Sequence, residues 1–138
     1  MKKILSAVLC LLVVLSLASC FGQTDPEALW DSATYKVDTE LGEGSKTVYV
    51  KVVVEENSVT FTIHTDRKIL GDALADHGIV EGDQGDFGLY VKKVNGITAD
   101  YDVDQSYWGF YKNGEYMLTG VDTTEFADGE QYELVYSK

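Results

Sequence analysis

The sequence predicts an α+β fold in which a single helix packs across a mixed β-sheet. Apolar and polar residues alternate in two neighbouring segments, 47–54 and 59–65, and this is the pattern of half-buried strands that pair as a hairpin. Only one later segment has helical spacing, and strand-like segments follow it to the end of the chain. The order is two strands, one helix, then three or four strands, and β-grasp is the commonest small form of that plan.

The predicted helix is about ten residues long. Thr65 or Asp66 can cap its N-terminus, and Gly78 can adopt the left-handed conformation that ends a helix. Its apolar stripe consists of Ile69, Leu70, Ala73 and Leu74.

Turn signals separate the strands that follow the helix. Asn95-Gly96 and Asn113-Gly114 tolerate the positive φ of tight hairpin turns, and Asp128-Gly129 marks a further turn. In chain order we expect a Gly/Asp-rich loop at 81–88, a strand at 89–94, a connection at 100–105, an aromatic strand at 107–112 with its partner at 116–118, and a closing strand at 132–136.

The aromatic strand and its hairpin partner are the most distinctive stretch of the chain. Five aromatic residues fall within the ten positions 107–116. They are Tyr107, Trp108, Phe110, Tyr111 and Tyr116. Alternation places Tyr107 and Tyr111 on one face of the strand and Trp108 and Phe110 on the other. Two interpretations stay open: the hairpin fills a core, or one face is core and the other is a stacking platform for a flat ligand or a partner.

The first 19 residues have the features of a secretory signal peptide. Lys2 and Lys3 precede an apolar stretch at 4–17 that is too short for an ordinary transmembrane helix. The segment ends in Leu17-Ala18-Ser19-Cys20, which resembles the lipobox of bacterial lipoproteins, in which the cysteine is lipidated. An ordinary signal peptide with a chance cysteine is the alternative. We therefore expect Cys20 to be lipidated and the protein to be anchored on the extracytoplasmic face of the cell membrane.

Residues 20–44 are expected to be the lipidated N-terminus and a tether, and residues 45–138 the folded domain. The tether interpretation depends on the absence of a sustained period and on Pro26 and two glycines. Leu29, Trp30 and Tyr35 are unusual in a linker, so part of this segment could pack on the domain.

The charge of the chain limits its partners. The formal net charge is −12, and removal of Lys2 and Lys3, with no acid, leaves −14 on the mature chain. Such a chain repels phosphate backbones and anionic lipid headgroups, so we expect no nucleic-acid partner and a membrane contact only through the acyl anchor.

No residue pattern predicts catalysis or a metal. The alternating carboxylates at 100–104 depart from a calcium loop, because Gln105 stands where glycine is required and Tyr111 where glutamate is required. His64 and His77 have no metal-ligand spacing. We therefore expect a protein that is not an enzyme and has no cofactor of its own.

Several motifs resemble the transcobalamin-like C-terminal domain family, which occurs in lipoproteins of Gram-positive bacteria and as the smaller domain of intrinsic factor and transcobalamin. They cover about residues 45–138. In order they are Ile69-Leu70-Gly71-Asp72-Ala73-Leu74 with Gly78, Tyr90-Val91, Val94-Asn95-Gly96, Asp100-Tyr101, Ser106-Tyr107-Trp108-Gly109-Phe110-Tyr111, Asn113-Gly114 and Gly120-Val121-Asp122.

The resemblance implies a binding module. In the animal carriers this domain covers one face of a corrin, and Tyr107-Trp108 and Gly120-Val121 are similar to segments that lie in the half of the domain nearest the ligand. We therefore expect a cell-surface ligand-binding module for a corrinoid or another flat cofactor, which it could hand to a membrane transporter. The expected ligand-binding residues are Tyr107, Trp108, Phe110, Tyr111, Gly120 and Val121. A structural or protein-interaction module that docks on a surface protein is the alternative.

Overall fold

The structure, a computed structural model, describes residues 26–86 and 88–138. The predicted signal peptide, the predicted lipidation site Cys20 and the first residues of the predicted tether lie outside these ranges.

Short helices separate groups of strands along the described residues. The helices are α1 (Pro26–Asp31), α2 (Leu70–Ala75) and α3 (Tyr101–Asp104), and Val121–Thr123 forms a 3-10 turn. The strands are β1 (Thr39–Leu41), β2 (Lys46–Val54), β3 (Asn57–Thr65), β4 (Val80–Gly85), β5 (Gly88–Val94), β6 (Ile97–Thr98), β7 (Tyr107–Lys112), β8 (Glu115–Tyr116) and β9 (Gln131–Ser137).

The strands form two sheets, whereas the sequence predicted one. The larger sheet has the order β1-β3-β2-β9-β7-β8. It is mixed, because β1 pairs with β3 and β2 pairs with β9 in parallel, while its other pairs are antiparallel. The smaller sheet, β4-β5-β6, is antiparallel. The α+β class is confirmed, and the second sheet is the main correction to the predicted architecture.

One face of the larger sheet forms the core. Alternate residues of β2 and β3 are fully buried, and the residues between them are half-buried or exposed. Leu70, Ala73 and Leu74 of α2 and apolar residues of the smaller sheet join the same cluster. Phe110 stacks on Tyr132 with ring centroids 5.6 Å apart. Burial raises the pKa of Tyr132, which is among the largest fully buried side chains.

Helix α2 is shorter than predicted, because the expected caps have other partners. Its N-cap is Ile69, which makes no side-chain capping bond. The Thr65 hydroxyl instead accepts a hydrogen bond from the backbone N–H of Arg67, and the Asp66 carboxylate accepts bonds from Ser45. The Ser45 bonds lower the pKa of Asp66. The predicted end of the helix is confirmed: Gly78 has φ +67°, and the Ile79 N–H donates a hydrogen bond to the Leu74 carbonyl.

Two connections contain regular structure that the sequence did not predict. Most of the expected loop at 81–88 belongs to β4 and the start of β5. The acidic segment at 100–104 contains α3, where the Asp100 side chain caps the helix by accepting from the Asp102 N–H. The return strand β8 is limited to Glu115–Tyr116, so the predicted partner at 116–118 is also corrected.

The predicted tether boundary at residue 44 differs from the structure. Within 26–44, α1 and β1 belong to the fold, and β1 pairs with β3. Ala33 is buried, and Leu29, Trp30, Tyr35 and Leu41 pack against the core. The edge-to-face contact of Tyr35 with Phe61, at 5.4 Å, explains why these apolar residues are present.

Candidate functional site

An open groove lies where the two sheets meet. Leu89, Tyr90 and Val91 of β5 form one side, β7 forms another, and residues 116–121 complete it. Its volume is about 340 Å³, which is at the lower end of the range for small-molecule sites. The lining residues are Leu89, Tyr90, Val91, Tyr107, Trp108, Phe110, Tyr116, Met117, Leu118, Thr119, Gly120, Val121 and Leu134.

None of these lining residues carries a charged side chain. Charged residues make up 25% of the chain, so an uncharged lining is unusual for its surface. Most of the lining side chains are aromatic or aliphatic, and the polar side-chain groups are the hydroxyls of the tyrosines and of Thr119. The groove can therefore bind a flat apolar or weakly polar group, but it offers no counter-ion to a charged one.

Five of the six residues that the sequence predicted for ligand binding line this one groove. They are Tyr107, Trp108, Phe110, Gly120 and Val121. The sixth, Tyr111, does not line it, although alternation places Tyr111 on the same face of β7 as Tyr107, which does. The Tyr111 ring instead contacts Tyr116 edge to face at 5.5 Å.

Trp108 belongs both to the core and to the groove wall. Its side chain is 8% exposed and packs edge to face on Tyr136 at 5.7 Å. The indole Nε1 is buried and has no hydrogen-bond partner among residues 26–86 and 88–138. A buried indole N–H normally has a partner, so this unpaired donor is an exception within the core.

The rim of the groove exposes large apolar side chains. Leu118 is 95% exposed and Tyr116 is 58% exposed, while Tyr90 and Tyr107 are exposed to a smaller extent. Exposed apolar side chains that cluster around one concavity are typical of a binding surface. Leu118 and the β5 residues were not among the predicted site residues. Local sequence could not show that the β5 residues line the groove, since β5 reaches it only through the packing of the two sheets. Leu118 belongs to the segment 116–118 that was predicted to pair with the aromatic strand.

Asp122 fixes the position of β5 beside the groove. Its Oδ2 accepts a hydrogen bond from the backbone N–H of Leu89 at 2.7 Å. Gly88 permits this approach, because a Cβ at that position would lie 2.3 Å from Oδ2 and the residue has φ +104°. This contact thus joins a strand of the smaller sheet to the 3-10 turn beside the groove.

Ion pairs lie next to the groove elements and not in the lining. The Lys92 ammonium lies 2.9 Å from the Asp83 carboxylate, and its hydrogen bond to Asp83 raises the pKa of Lys92. Lys112 pairs with Glu130, and this bond lowers the pKa of Glu130. These pairs keep charge on neighbouring polar surfaces.

The structure describes no metal centre in the segments it covers. No three His, Cys, Asp or Glu side chains come together there in an arrangement that could hold an ion. His64 contacts Glu40 at 2.7 Å and Thr47 at 3.0 Å, and both are residues of the larger sheet or its edge. Among the described helices, none is long and apolar enough to cross a membrane.

A family model described as "Domain of unknown function (DUF4430)" matches residues 68–138, which is half of the chain. The chain belongs to this family. The matched DUF4430 region contains α2 and every residue of the groove lining. The hairpin of β2 and β3 precedes it.

Solved structures extend the similarity beyond the DUF4430 match. A candidate metal-binding protein from Ruminococcus gnavus is 34% identical, with a TM-score of 0.65, and the alignment covers 68% of this chain and 98% of that one. Haptocorrin, solved in complex with Cbi, is 19% identical with a TM-score of 0.55. That alignment covers 71% of this chain but only 26% of haptocorrin, and at this identity it shows the fold alone. No curated protein matches the chain.

Proposed function

We propose that this protein is a non-catalytic ligand-binding module whose groove holds one side of a flat, largely uncharged small molecule. The observation that carries the proposal is the groove itself: an uncharged concavity that is lined mostly by aromatic and aliphatic side chains. The lining holds no carboxylate, imidazole, thiol or lysine that could move a proton or attack a substrate, which supports a binding role.

A corrinoid is the first ligand to test. The order of β2, β3, α2 and β9, with β9 parallel to β2, supports a β-grasp-like core. The motifs around Tyr107 and Gly120 support a transcobalamin-like domain, which in the carriers covers one face of a corrin. A groove of about 340 Å³ covers only part of such a ring, so the other face would need a second chain, such as a membrane transporter, to exclude water.

A substitution at the exposed rim of the groove tests whether a corrinoid binds there. Replacing Leu118 with aspartate should reduce the affinity for a bound corrinoid by about tenfold or more, because it places a charge at the mouth of an uncharged groove. The melting temperature should change little, since Leu118 is 95% exposed. Calorimetric titration with cyanocobalamin and cobinamide measures the effect.

The matched control is Val37→Asp, a change of the same kind at an apolar residue that is 72% exposed and lies outside the groove lining. It should bind as the parent does. If the parent protein gives no heat with either corrinoid, the cofactor proposal is wrong. Equal weakening by both variants would also contradict it, because the effect would then come from net charge and not from the groove.

A protein-interaction module is the second candidate. It is favoured by the edge of β7: β8 pairs with Tyr111 and Lys112, the Met117 N–H bonds the Phe110 carbonyl, and no described strand pairs with Tyr107–Gly109 on that side. An extended segment of another surface protein could pair there and insert side chains into the groove. Leu118→Asp would then weaken capture of that protein while corrinoids give no heat.

The same proposal includes anchoring through Cys20. The chain carries the lipobox-like Leu17-Ala18-Ser19-Cys20, and Cys20 is the only cysteine after the predicted cleavage site. In a Gram-positive host, Cys20→Ala should abolish labelling by radioactive palmitate and shift the protein from the membrane fraction. A variant that still incorporates palmitate would show that the anchor is elsewhere.

A further inference from the structure

The larger sheet has a second face that differs chemically from the groove. Residues that alternate with the buried core positions of β2, β3 and β9 are half-buried or exposed, and they form the face of the sheet opposite the core. The register places Tyr49 between Thr62 of β3 and Gln131 of β9, and Lys51 between Thr60 and Glu133. Rows of polar side chains therefore run across the strands of this face.

Two shallow cavities on this face meet at Thr60 and form one trough. The first, of about 180 Å³, includes Tyr49, Lys51, Thr60, Asn113, Gln131 and Glu133 in its lining. The second, of about 240 Å³, is lined by Asp38, Thr39, Glu40, Thr60 and Thr62. The trough crosses β9, β2, β3 and β1, and at the spacing of paired strands it is about 14 Å long.

The side chains of the trough suit a ligand with many hydroxyl groups. Threonine hydroxyls both donate and accept hydrogen bonds, and the amides and carboxylates each offer two polar atoms to neighbouring hydroxyls. The Tyr49 ring supplies an apolar surface against which a ring with C–H bonds can pack. An apolar ligand would leave these polar groups desolvated and unpaired, so the trough selects a different ligand from the groove.

Several of these groups are already held in place. The Asp38 Oδ1 accepts a hydrogen bond from the backbone N–H of Thr60 at 2.8 Å. The Glu40 Oε1 lies 2.7 Å from His64 Nε2, and the other nitrogen of the ring lies 3.0 Å from the Thr47 hydroxyl. Each carboxylate thus keeps one oxygen in a fixed contact and presents the rest of the group toward the trough. Such preorganisation lowers the entropic cost of binding.

The charge of the trough selects against anionic polymers. Asp38, Glu40 and Glu133 contribute three negative charges and Lys51 one positive charge, which gives a net charge of −2. The chain as a whole adds repulsion, with a net charge of −12. We propose that this trough binds a neutral linear oligosaccharide, at a site separate from the ligand groove.

The test is calorimetric titration of the full chain with cellohexaose, chitohexaose and maltohexaose, and with hexagalacturonate as the anionic comparison. We expect at least one neutral hexasaccharide to bind and hexagalacturonate not to bind. Tyr49→Ala should weaken that binding about tenfold through loss of the ring contact. Gln131→Ala should weaken it by a smaller factor, and because Gln131 is exposed, this variant tests the site without a change in packing.

Tyr101→Ala is the control, since Tyr101 is 53% exposed on α3 and lies outside both sites. It should bind as the parent does. The proposal is overturned if no neutral hexasaccharide binds at millimolar concentration, if hexagalacturonate binds equally well, or if the Tyr49 and Gln131 variants both retain the parent affinity. Leu118→Asp should leave this binding unchanged, so the outcome is independent of the groove.

Discussion

Replacing Trp108 with alanine should lower the free energy of unfolding by about 3 to 5 kcal/mol. The side chain is 8% exposed and contacts Tyr136 edge to face, so its removal leaves a cavity between β7 and β9 and deletes an aromatic pair. Little hydrogen-bond energy should be lost, because Nε1 has no partner in the described structure. Urea unfolding of the variant and the parent measures the difference.

The neighbouring residue supplies the control for this prediction. Tyr107 is 38% exposed, and Tyr107→Ala should cost no more than about 1 kcal/mol. Trp108→Phe retains a buried ring at this position, and we expect this variant to keep most of the stability. A loss of stability below about 1 kcal/mol in Trp108→Ala would show that the ring is not part of the core.

Removing the residues before Gly44 should destabilise the protein by about 3 to 6 kcal/mol. The deletion takes away α1, β1 and the apolar side chains that pack on the core, including Tyr35 against Phe61. It also breaks a set of polar contacts, since the buried Asn95 side chain bonds both the N–H and the carbonyl of Tyr35 at 2.9 Å. We expect a lower urea midpoint or no cooperative transition.

The matched comparison begins at Pro26 and keeps every described element. Its unfolding free energy is the reference for the shorter variant. Tyr35→Ala in the intact chain should reproduce part of the loss without removing any backbone. Equal unfolding free energies for the variants that begin at Pro26 and at Gly44 would support the tether interpretation of residues 20–44 and contradict the packing seen in the structure.

Much of the fold could be predicted because its signals are local. The alternating valines of β2 predicted a strand, and Val48, Val50, Val52 and Val54 are all fully buried. Both Asn-Gly pairs form hairpin turns with positive φ at each residue. These signals depend on the conformational preferences of a few adjacent residues, and no distant contact opposes them.

The errors occur where contacts formed in the folded chain override the preference that local composition indicates. Residues 81–86 resemble a loop in composition, yet β4 forms because it pairs with β5. Gly82 is required in that strand, since a Cβ there would lie 1.8 Å from the Tyr90 carbonyl oxygen. Likewise, the expected helix caps are engaged by Ser45 and Arg67, and α2 begins later. The local composition does not show these contacts, although Arg67 and β5 are near their partners in the chain.

The same distinction between local sequence signals and contacts of the folded chain applies to the candidate site. The sequence by itself determined the strands, the turns, the aromatic content of β7 and the set of residues around Tyr107 and Gly120, because alternation and turn chemistry act over short distances. Only the tertiary structure decided that Trp108 is both core and groove wall, that Tyr111 does not line the groove, and that Leu89 and Leu118 complete it. The physical reason is that a concave site is made by elements packed against one another, and burial depends on that packing and not on the residue alone.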